Sequence, residues 1–346
     1  MPSVFPSLVF PEKGSIGAPK LGHRLVDDYL EVVAARLRPN STLAVAYDLK
    51  VFFTVVDVDP LDVRRRHVIG FIRAQRTGSN DTTVVPFDES GGLALSTIRR
   101  RLSSMSGFYA YLVALGEMDH NPVHRGMPVR SPVTRDRRVV PLVRAVRHLP
   151  QILDTDEVPR LLAALRTRRD RAMIEAMLLA GLRRCEVLGL RVQDVRWGER
   201  RLFIVEGKGG HQRLVPISPR FFTSLRDYLD HERPSDTVTD QVFVVLKGPH
   251  RGGPLTAKGL EEILTGARAR AGLTHGTCHE LRHTCFTRLR EAGMALEALQ
   301  AQAGHRSISA TQIYLHLAND WLAGEYRRAA EAIDAQARLG RSGRAS

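Results

Sequence analysis

The chain has 346 residues, 43% of them hydrophobic, which is enough apolar material for two ordinary domain cores. No apolar stretch approaches the roughly 18 residues of a transmembrane helix, and the N-terminus lacks the pattern of a signal peptide. Three cysteines, Cys185, Cys278 and Cys285, are too few for a disulfide framework. These features predict a cytoplasmic protein with no membrane partner.

The charge of the chain indicates its partner. Lysine and arginine total 51 against 37 acidic residues, for a net charge of +14. Such an excess favours a polyanion, most often nucleic acid, and a basic membrane-surface protein is the alternative. Only six of the basic residues are lysines, and Lys208 is the only lysine between residues 51 and 246. This isolated lysine is present either by chance or because it has a role that arginine cannot fill.

The first third of the chain has the periodicity of amphipathic helices. After a start rich in Pro, Gly and Ser, expected to be extended over residues 1–20, four segments place apolar residues on one helical stripe. They are "HRLVDDYLEVVAARL", "NSTLAVAYDLKVFFTVV", "PLDVRRRHVIGFIRAQR" and "STIRRRLSSMSGFYAYLVALG", with a polar loop at 77–94 before the last. Asn40 or Ser41 is the expected N-cap of the second helix, and Ser96 that of the fourth. Residues 21–122 are therefore predicted to form an all-helical domain.

Residues 123–150 differ in composition from both flanks. They contain seven arginines, four prolines and a single aspartate. Because proline stiffens a chain and arginine binds phosphate, we predict an extended basic linker that crosses a nucleic-acid backbone. A solvated tether is the alternative.

The remainder of the chain mixes helices with short strands. "LDTDEVPRLLAAL" opens a helix, with Asp154 as a candidate cap and Glu157 at the reciprocal capping-box position. A buried helix then turns at Gly181 into a short helix, and "RRLFIVEGKGGHQRLVPIS" predicts a strand, a Gly-rich turn and a strand. "QVFVVL" predicts a third strand. The predicted class is mainly α with a small β-sheet, residues 151–320 forming a mixed α/β domain and 321–346 a C-terminal helix and tail.

The stretch "HELRH", residues 279–283, matches the zinc-binding pattern of many metalloproteases. A third ligand is missing, because Phe286 and Leu289 stand where the long form of that pattern has glycine and histidine. Arg282 would also place a fixed positive charge beside a dication, and the nearby cysteines have no paired spacing with the histidines. We therefore predict no metal and no cofactor, and a zinc protease is kept only as an alternative.

Four segments in this order resemble the tyrosine recombinase (phage integrase) family: "LLAGLRRCEVLGL", "VEGKGGHQRLVPIS", "HELRHTCFTRLREAG" and "LQAQAGHRSISATQIYLH". The family pattern is an Arg in a Gly-Leu-Arg-x-x-Glu turn, a Lys in a β-hairpin, His-x-x-Arg, Gly-His and Tyr. In this chain the pattern falls on Arg183, Lys208, His279, Arg282, His305 and Tyr314. The resemblance covers about residues 150–320, and the helical N-terminal region is similar to the family's core-binding domain. It implies a helical core-binding domain followed by a mixed α/β catalytic domain.

The resemblance implies a role for each matched residue. Tyr314 attacks the scissile phosphorus and forms a 3′-phosphotyrosyl link. Arg183 and Arg282 hold the non-bridging oxygens, because a planar guanidinium matches phosphate in a bidentate manner. Lys208 protonates the departing 5′-oxygen, which arginine, with a pKa above about 12, cannot do.

The remaining matched residues are histidines. His279 acts as a general acid or base near neutral pH, and His305 hydrogen-bonds the phosphate. Glu186, one helical turn after Arg183, is expected to orient Arg183 or the backbone, and His283 to have a structural role. Packing roles are expected where the chain departs from the family's usual residues, at Ala303, Cys285, Phe286 and Ala310.

The predicted function is site-specific recombination of double-stranded DNA without metal or ATP. Two sequential strand exchanges pass through a Holliday junction, in a homotetramer on a short core site with inverted repeats. Because about 20 residues precede the first helix, a Xer-like two-domain architecture is expected. The amphipathic segment "WLAGEYRRAAEAIDAQARL" docks on a neighbouring subunit or within its own. A non-cleaving DNA-binding accessory protein and a type IB-like topoisomerase are the alternatives.

Overall fold

The structure, a computed structural model, describes residues 5–11, 17–77, 92–123, 127–130, 137–140, 143, 149–205, 212–305, 308, 311, 312 and 314. The chain divides into two compact units, the first ending at residue 147 and the second beginning at residue 148. Several features of the sequence analysis lie outside the described residues, wholly or for the most part: Lys208 with its Gly-rich turn, Ala310, the loop 77–94, the linker 123–150 and the segment 321–346.

The first unit is helical, as the hydrophobic periodicity predicts. Helix α1 spans Arg24–Arg36, α2 Pro39–Val56, α3 Arg65–Thr77 and α4 Leu95–Ala114. α2 packs against the other three helices. Its Phe52 and Phe53 make edge-to-face contacts with each other and with Phe71, Phe108 and Tyr109. The burial of these rings, all almost completely inaccessible, supplies much of the attraction between the helices.

The predicted starts of these helices need correction. α2 begins at Pro39, ahead of the expected caps Asn40 and Ser41, because proline's fixed φ and missing N–H suit the first helical position. α4 begins at Leu95, so Ser96 lies in its first turn and does not cap it. α3 starts later than expected, after a separate 3-10 turn at Pro60–Asp62.

The predicted linker contains a short β-ribbon. Strand β1, Met127–Arg130, pairs antiparallel with β2, Arg137–Val140. The composition of this region predicts an extended backbone but carries no signal for pairing, since arginines and prolines dominate it.

The second unit packs seven described helices around a three-stranded sheet. The helices are α5 Glu157–Ala163, α6 Arg168–Ala180, α7 Arg184–Leu188, α8 Pro219–His231, α9 Ala257–Ala271, α10 Cys278–Glu291 and α11 Leu296–Ala303. The strands β3 Val195–Arg196, β4 Arg201–Ile204 and β5 Arg213–Pro216 form an antiparallel sheet in that order. α6, buried over most of its length, lies between α8 and α10. The predicted class, mainly α with a small sheet, is confirmed.

The predicted third strand, residues 241–246, is wrong. Val242 donates its backbone N–H to the carbonyl oxygen of Leu190 at 2.8 Å, and Val245 pairs with Gly253, so loop partners satisfy this backbone. β3 takes the third place in the sheet. A short apolar run fits a buried connection as well as a buried strand, and periodicity does not separate the two.

The predicted cap of α5 forms only in part. Glu157 accepts the backbone N–H of Asp154 at 2.8 Å, which is one half of a capping box. The N-cap position itself belongs to Asp156.

Within the described residues, no helix is long and apolar enough to cross a membrane.

Candidate active site

The turn between α6 and α7 places the first predicted site residue. Gly181 ends α6 with φ +65°, in the left-handed region. A Cβ there would lie 2.4 Å from the ring of Phe286 on α10, so only glycine fits this close approach. Two residues later Arg183 is the N-cap of α7. The glycine thus lets the end of α6 lie directly against α10.

Arg183 lies beside a fully buried carboxylate. Its Nη1 donates to Oε1 of Glu186 at 2.8 Å, and its backbone N–H donates to Oε2 at 2.9 Å. Burial alone would raise the pKa of Glu186, but hydrogen bonds and charge from Arg213 and Arg183 outweigh it and hold that pKa below its usual range. Glu186 is therefore ionised and orients Arg183, as the sequence suggested.

Arg282 crosses the interior of the site from α10. Its side chain is 3% exposed and donates to the carbonyl oxygens of Gly181 and Ala303, the latter at 2.7 Å. The guanidinium also lies over the ring of Phe286, 4.7 Å from its centroid. Burial and the charge of Arg183 lower the pKa of Arg282 to about 10. The group remains cationic at neutral pH and ties the ends of α6 and α11 together.

His305 follows Gly304, the C-cap of α11. Its Nε2 lies 3.3 Å from Nη2 of Arg282, and its Nδ1 lies 2.9 Å from Oγ1 of Thr311. Because arginine can only donate, Nε2 of His305 is the acceptor whenever this hydrogen bond with Arg282 forms. His305 thus directly contacts one of the two predicted phosphate-binding arginines.

Tyr314 is buried among rings and apolar side chains. It is 1% exposed and packs with Phe286, Leu299 and Ala303. Its ring centroid lies 5.3 Å from that of Phe286 and stacks on His305 at 6.5 Å. Burial raises the pKa of the Tyr314 phenol to about 12. The phenol is therefore protonated at neutral pH, and its use as a nucleophile requires a proton acceptor.

Two histidines of α10 form a row of ring contacts that leads to Tyr314. The rings of His279 and His283 meet edge to face at 4.3 Å, and His283 lies 5.6 Å from the ring of Tyr314. Burial, together with the charges of His279 and Arg282, lowers the pKa of His283 to about 4. His283 is therefore a neutral, buried ring between His279 and Tyr314, consistent with the structural role expected for it.

Glu280 belongs to the start of its own helix. Its Oε2 accepts the backbone N–H groups of Gly276 and Thr277 at 2.5 and 2.8 Å, and Thr277 accepts from the backbone of Glu280, which completes a capping box. These bonds outweigh burial and lower the pKa of Glu280. In the described part of the chain, no three His, Cys, Asp or Glu side chains are grouped to hold a metal ion.

The structure therefore brings together five of the six matched residues: Arg183, His279, Arg282, His305 and Tyr314. Lys208 lies outside the described residues, and the two strands that flank it pair as a hairpin, with Ile204 opposite Arg213. Sequence reasoning missed one contributor, Arg213, which donates to both carboxylate oxygens of Glu186. Arg213 lies within the segment "VEGKGGHQRLVPIS" but at none of the six matched positions, so only its contacts reveal its role.

Comparison with known proteins settles the family. The model of the phage integrase family matches residues 151–320. Tyrosine recombinase XerD of Lacticaseibacillus casei is 31% identical over 314 residues, covering 88% of this chain and 98% of that protein. The chain belongs to the tyrosine recombinase (phage integrase) family. It is thus an enzyme that cleaves and rejoins DNA at specific sites, and the family predicted from the motifs is confirmed.

Other tyrosine recombinases show the same relationship. XerD of Listeria monocytogenes serotype 4b is 29% identical over 321 residues, covering 88% of this chain and 97% of that protein. XerC of Halalkalibacterium halodurans is 33% identical over 244 residues, covering 68% and 75%.

Solved structures confirm the fold. The Tn1549 transposon integrase in complex with transposon right end DNA superposes with a TM-score of 0.66 at 17% identity, covering 88% of this chain and 99% of that one. A lambda integrase dimer bound to a COC′ core site gives 0.62 at 18% identity, covering 86% and 95%.

Proposed function

We propose that this recombinase cuts DNA with Tyr314 and forms a 3′-phosphotyrosyl intermediate. The observation that carries the proposal is the convergence of charge and nucleophile in one site. Arg282 contacts His305, His305 stacks on Tyr314, and Arg183 lies beside Arg282 through their common neighbour Glu186. A site with two arginines, three histidines and a buried phenol suits phosphoryl transfer without a bound cofactor.

The arginines and histidines divide the work of the reaction. Arg183 and Arg282 neutralise the non-bridging oxygens as charge builds on the phosphorus centre. His279 accepts or returns a proton near neutral pH, and His305 hydrogen-bonds the phosphate. We assign Lys208 as the proton donor to the departing 5′-oxygen, because the hairpin that contains it is anchored in the same site through Arg213.

Cleavage is reversible because the phosphotyrosyl bond retains the energy of the phosphodiester, so that neither ATP nor a metal ion is required. Two such exchanges in succession, through a Holliday junction, complete recombination in this proposal. A lambda integrase tetramer bound to a Holliday junction has the same fold, with a TM-score of 0.61, which supports the proposal.

We also propose assembly into a tetramer on DNA through the C-terminal segment 321–339. An apolar groove of about 490 Å³ in the second unit offers a receptor for an amphipathic helix. Leu178, Ile217, Leu289 and Met294 line it. In this arrangement the groove of each subunit receives the segment of a neighbour. The same segment folded onto its own subunit is the alternative.

The decisive experiment traps the covalent intermediate. Randomised 40-bp duplexes retained by the protein are sequenced, and the enriched motif is rebuilt as a nicked duplex whose cleavage releases a short fragment. We expect wild-type protein to form an adduct that survives SDS and Tyr314→Phe to form none. Tyr228→Phe is the matched control, since it removes a buried hydroxyl from the core of the same unit.

Each alternative function predicts a different result. An adduct formed by Tyr314→Phe would refute the assignment of the nucleophile. Absence of any adduct with the wild-type protein would favour a non-cleaving DNA-binding protein. Relaxation of supercoiled DNA without recombinant product would favour a type IB-like topoisomerase.

A further inference from the structure

We propose that Arg213 is a positioning residue for the cleavage reaction, acting through Glu186 and the end of α11. This inference rests on the proposed function and deepens it. Arg213 is the first residue of β5 and matches none of the predicted catalytic positions. Among the three arginines around Glu186, it is nevertheless the one whose side chain makes the most extensive contacts with the carboxylate.

The contact with Glu186 is bidentate. Nη1 and Nη2 of Arg213 donate to Oε1 and Oε2 of the carboxylate, both at 2.9 Å, and the Arg213 side chain is 12% exposed. Paired parallel bonds of this kind fix direction as well as distance. Arg213 therefore holds the carboxylate plane in the orientation in which Glu186 receives the side chain and backbone of Arg183.

A second set of contacts joins Arg213 to the end of α11. Its Nε donates to the carbonyl oxygen of Gln302 at 3.2 Å, one of the last carbonyls of a helix, where the dipole favours a cation. A Cβ at Gly304 would lie 3.1 Å from the guanidinium, so the plane packs directly against the residue before His305. Arg213 thus links Glu186 on α7 to the position of His305.

The charge of Arg213 affects how much positive charge the site can offer to a phosphate. One carboxylate, Glu186, faces three guanidinium groups, with the nearest nitrogen of Arg282 at 4.0 Å. With Arg213 in place, the three guanidinium groups and Glu186 together carry two net positive charges, which are available to bind a phosphate. Without it, the carboxylate would cancel half of the charge of Arg183 and Arg282 and draw Arg183 toward itself.

The test separates cleavage from DNA binding. Single-turnover cleavage of the nicked duplex is measured at saturating protein, alongside the dissociation constant for the uncut duplex. We expect Arg213→Met to cleave about 100-fold more slowly, the loss typical of removing one preorganised electrostatic group. Binding should change by no more than about threefold, as for the control Arg201→Met, which removes a half-exposed arginine from the neighbouring strand.

A second readout reports on the phosphate. A methylphosphonate at the scissile position lacks one non-bridging charge, so the balance that Arg213 maintains should matter less there. We expect the difference between wild-type and Arg213→Met protein to shrink by about tenfold on this substrate. Arg213→Lys keeps the charge but not the bidentate geometry and should cleave at an intermediate rate. If the Met variant does not fold, Arg213→Gln, which also removes the charge, is measured on both substrates in its place.

Three outcomes would overturn the inference. They are cleavage by the variant at the wild-type rate, a loss that follows weaker DNA binding alone, and an equal loss on phosphate and methylphosphonate substrates. Failure of the proposed function is distinguishable, because wild-type protein would then form no adduct with either substrate.

Discussion

At the scale of single residues, the site holds Tyr314, the proposed nucleophile, in neutral form. Tyr314 and His283 are both buried, and burial opposes charge on each of them, raising one pKa and lowering the other. In the proposed reaction, Tyr314 must therefore give up its proton at the moment of attack. His279, whose ring contacts His283, is the histidine to which the proposal assigns that transfer.

The depressed pKa of His283 makes stability depend on pH. The folded protein binds its proton only near pH 4, whereas the unfolded chain binds it near the ordinary value of 6.5. Stability from this residue is therefore full above pH 6.5 and is lost as pH falls toward 4, by up to about 3 kcal/mol. We expect His283→Gln to flatten the pH dependence of the free energy of unfolding in this range, measured by urea denaturation.

His231 on α8 is the matched control for this experiment, since its side chain is 60% exposed. We expect His231→Gln to leave the steep acid dependence in place. An unchanged slope in His283→Gln would show that other groups cause the loss of stability.

At the scale of elements, helix ends build the site. Arg183 begins α7, His305 follows α11, and Arg282 reaches the last carbonyls of α6 and α11 from the middle of α10. Helix ends leave backbone groups without partners, and in this protein arginine side chains satisfy them. The fold thus uses the same guanidinium groups to join its helices and to create a cationic site.

Substitution of Gly181 by alanine tests this close packing, and the same substitution at Gly272 is a matched control. Both end a helix with nearly the same backbone angles, φ +65° and ψ 32° against φ +67° and ψ 34°. A Cβ meets Phe286 at Gly181 but nothing within 4 Å at Gly272. We expect Gly272→Ala to cost about 1 kcal/mol from backbone strain alone. Gly181→Ala should cost at least about 2 kcal/mol more, by analogy with overpacked cores, and should slow cleavage because Phe286 supports Tyr314.

Urea denaturation and single-turnover cleavage of both variants measure the difference. Equal losses of stability would show that α10 moves aside without cost. A stable but slow Gly181→Ala protein would show that Phe286 acts mainly on the position of Tyr314.

At the scale of the whole molecule, the net charge of +14 suits a protein that contacts a DNA backbone, and the proposed tetramer depends on the segment 321–339. We expect a chain ending at residue 320 to bind its duplex site but to form no complex of four subunits with two duplexes. Mass photometry on DNA and a recombination assay measure this. In the proposed assembly the segment 321–339 occupies the apolar groove of a neighbouring second unit, so truncation leaves that groove without its partner.

Met294→Glu provides the matching change in the groove, because a carboxylate there opposes an apolar partner. It should reproduce the loss of assembly. A four-subunit complex formed by the truncated chain would favour packing of the segment on its own subunit.

The sequence by itself determined the family, the class of fold, the helices of the first unit and six candidate site residues. Local sequence patterns predict those features: the 3.6-residue hydrophobic period of α1 to α4, and short motifs such as Gly-Leu-Arg and Gly-His. Such patterns are informative because neighbouring residues on a helix or turn share one environment. Helix caps were predicted less well, since Pro39 and Asn40 are both acceptable starts on local grounds.

Only the tertiary structure decided which side chains support the motifs. Arg213 lies 27 residues from Glu186 and 89 from Gln302, and no local pattern connects them. The same holds for the run 241–246, where an apolar sequence proved to be a buried loop. Burial and long-range hydrogen bonds depend on which helices and strands pack together, and those contacts exist only in the folded chain.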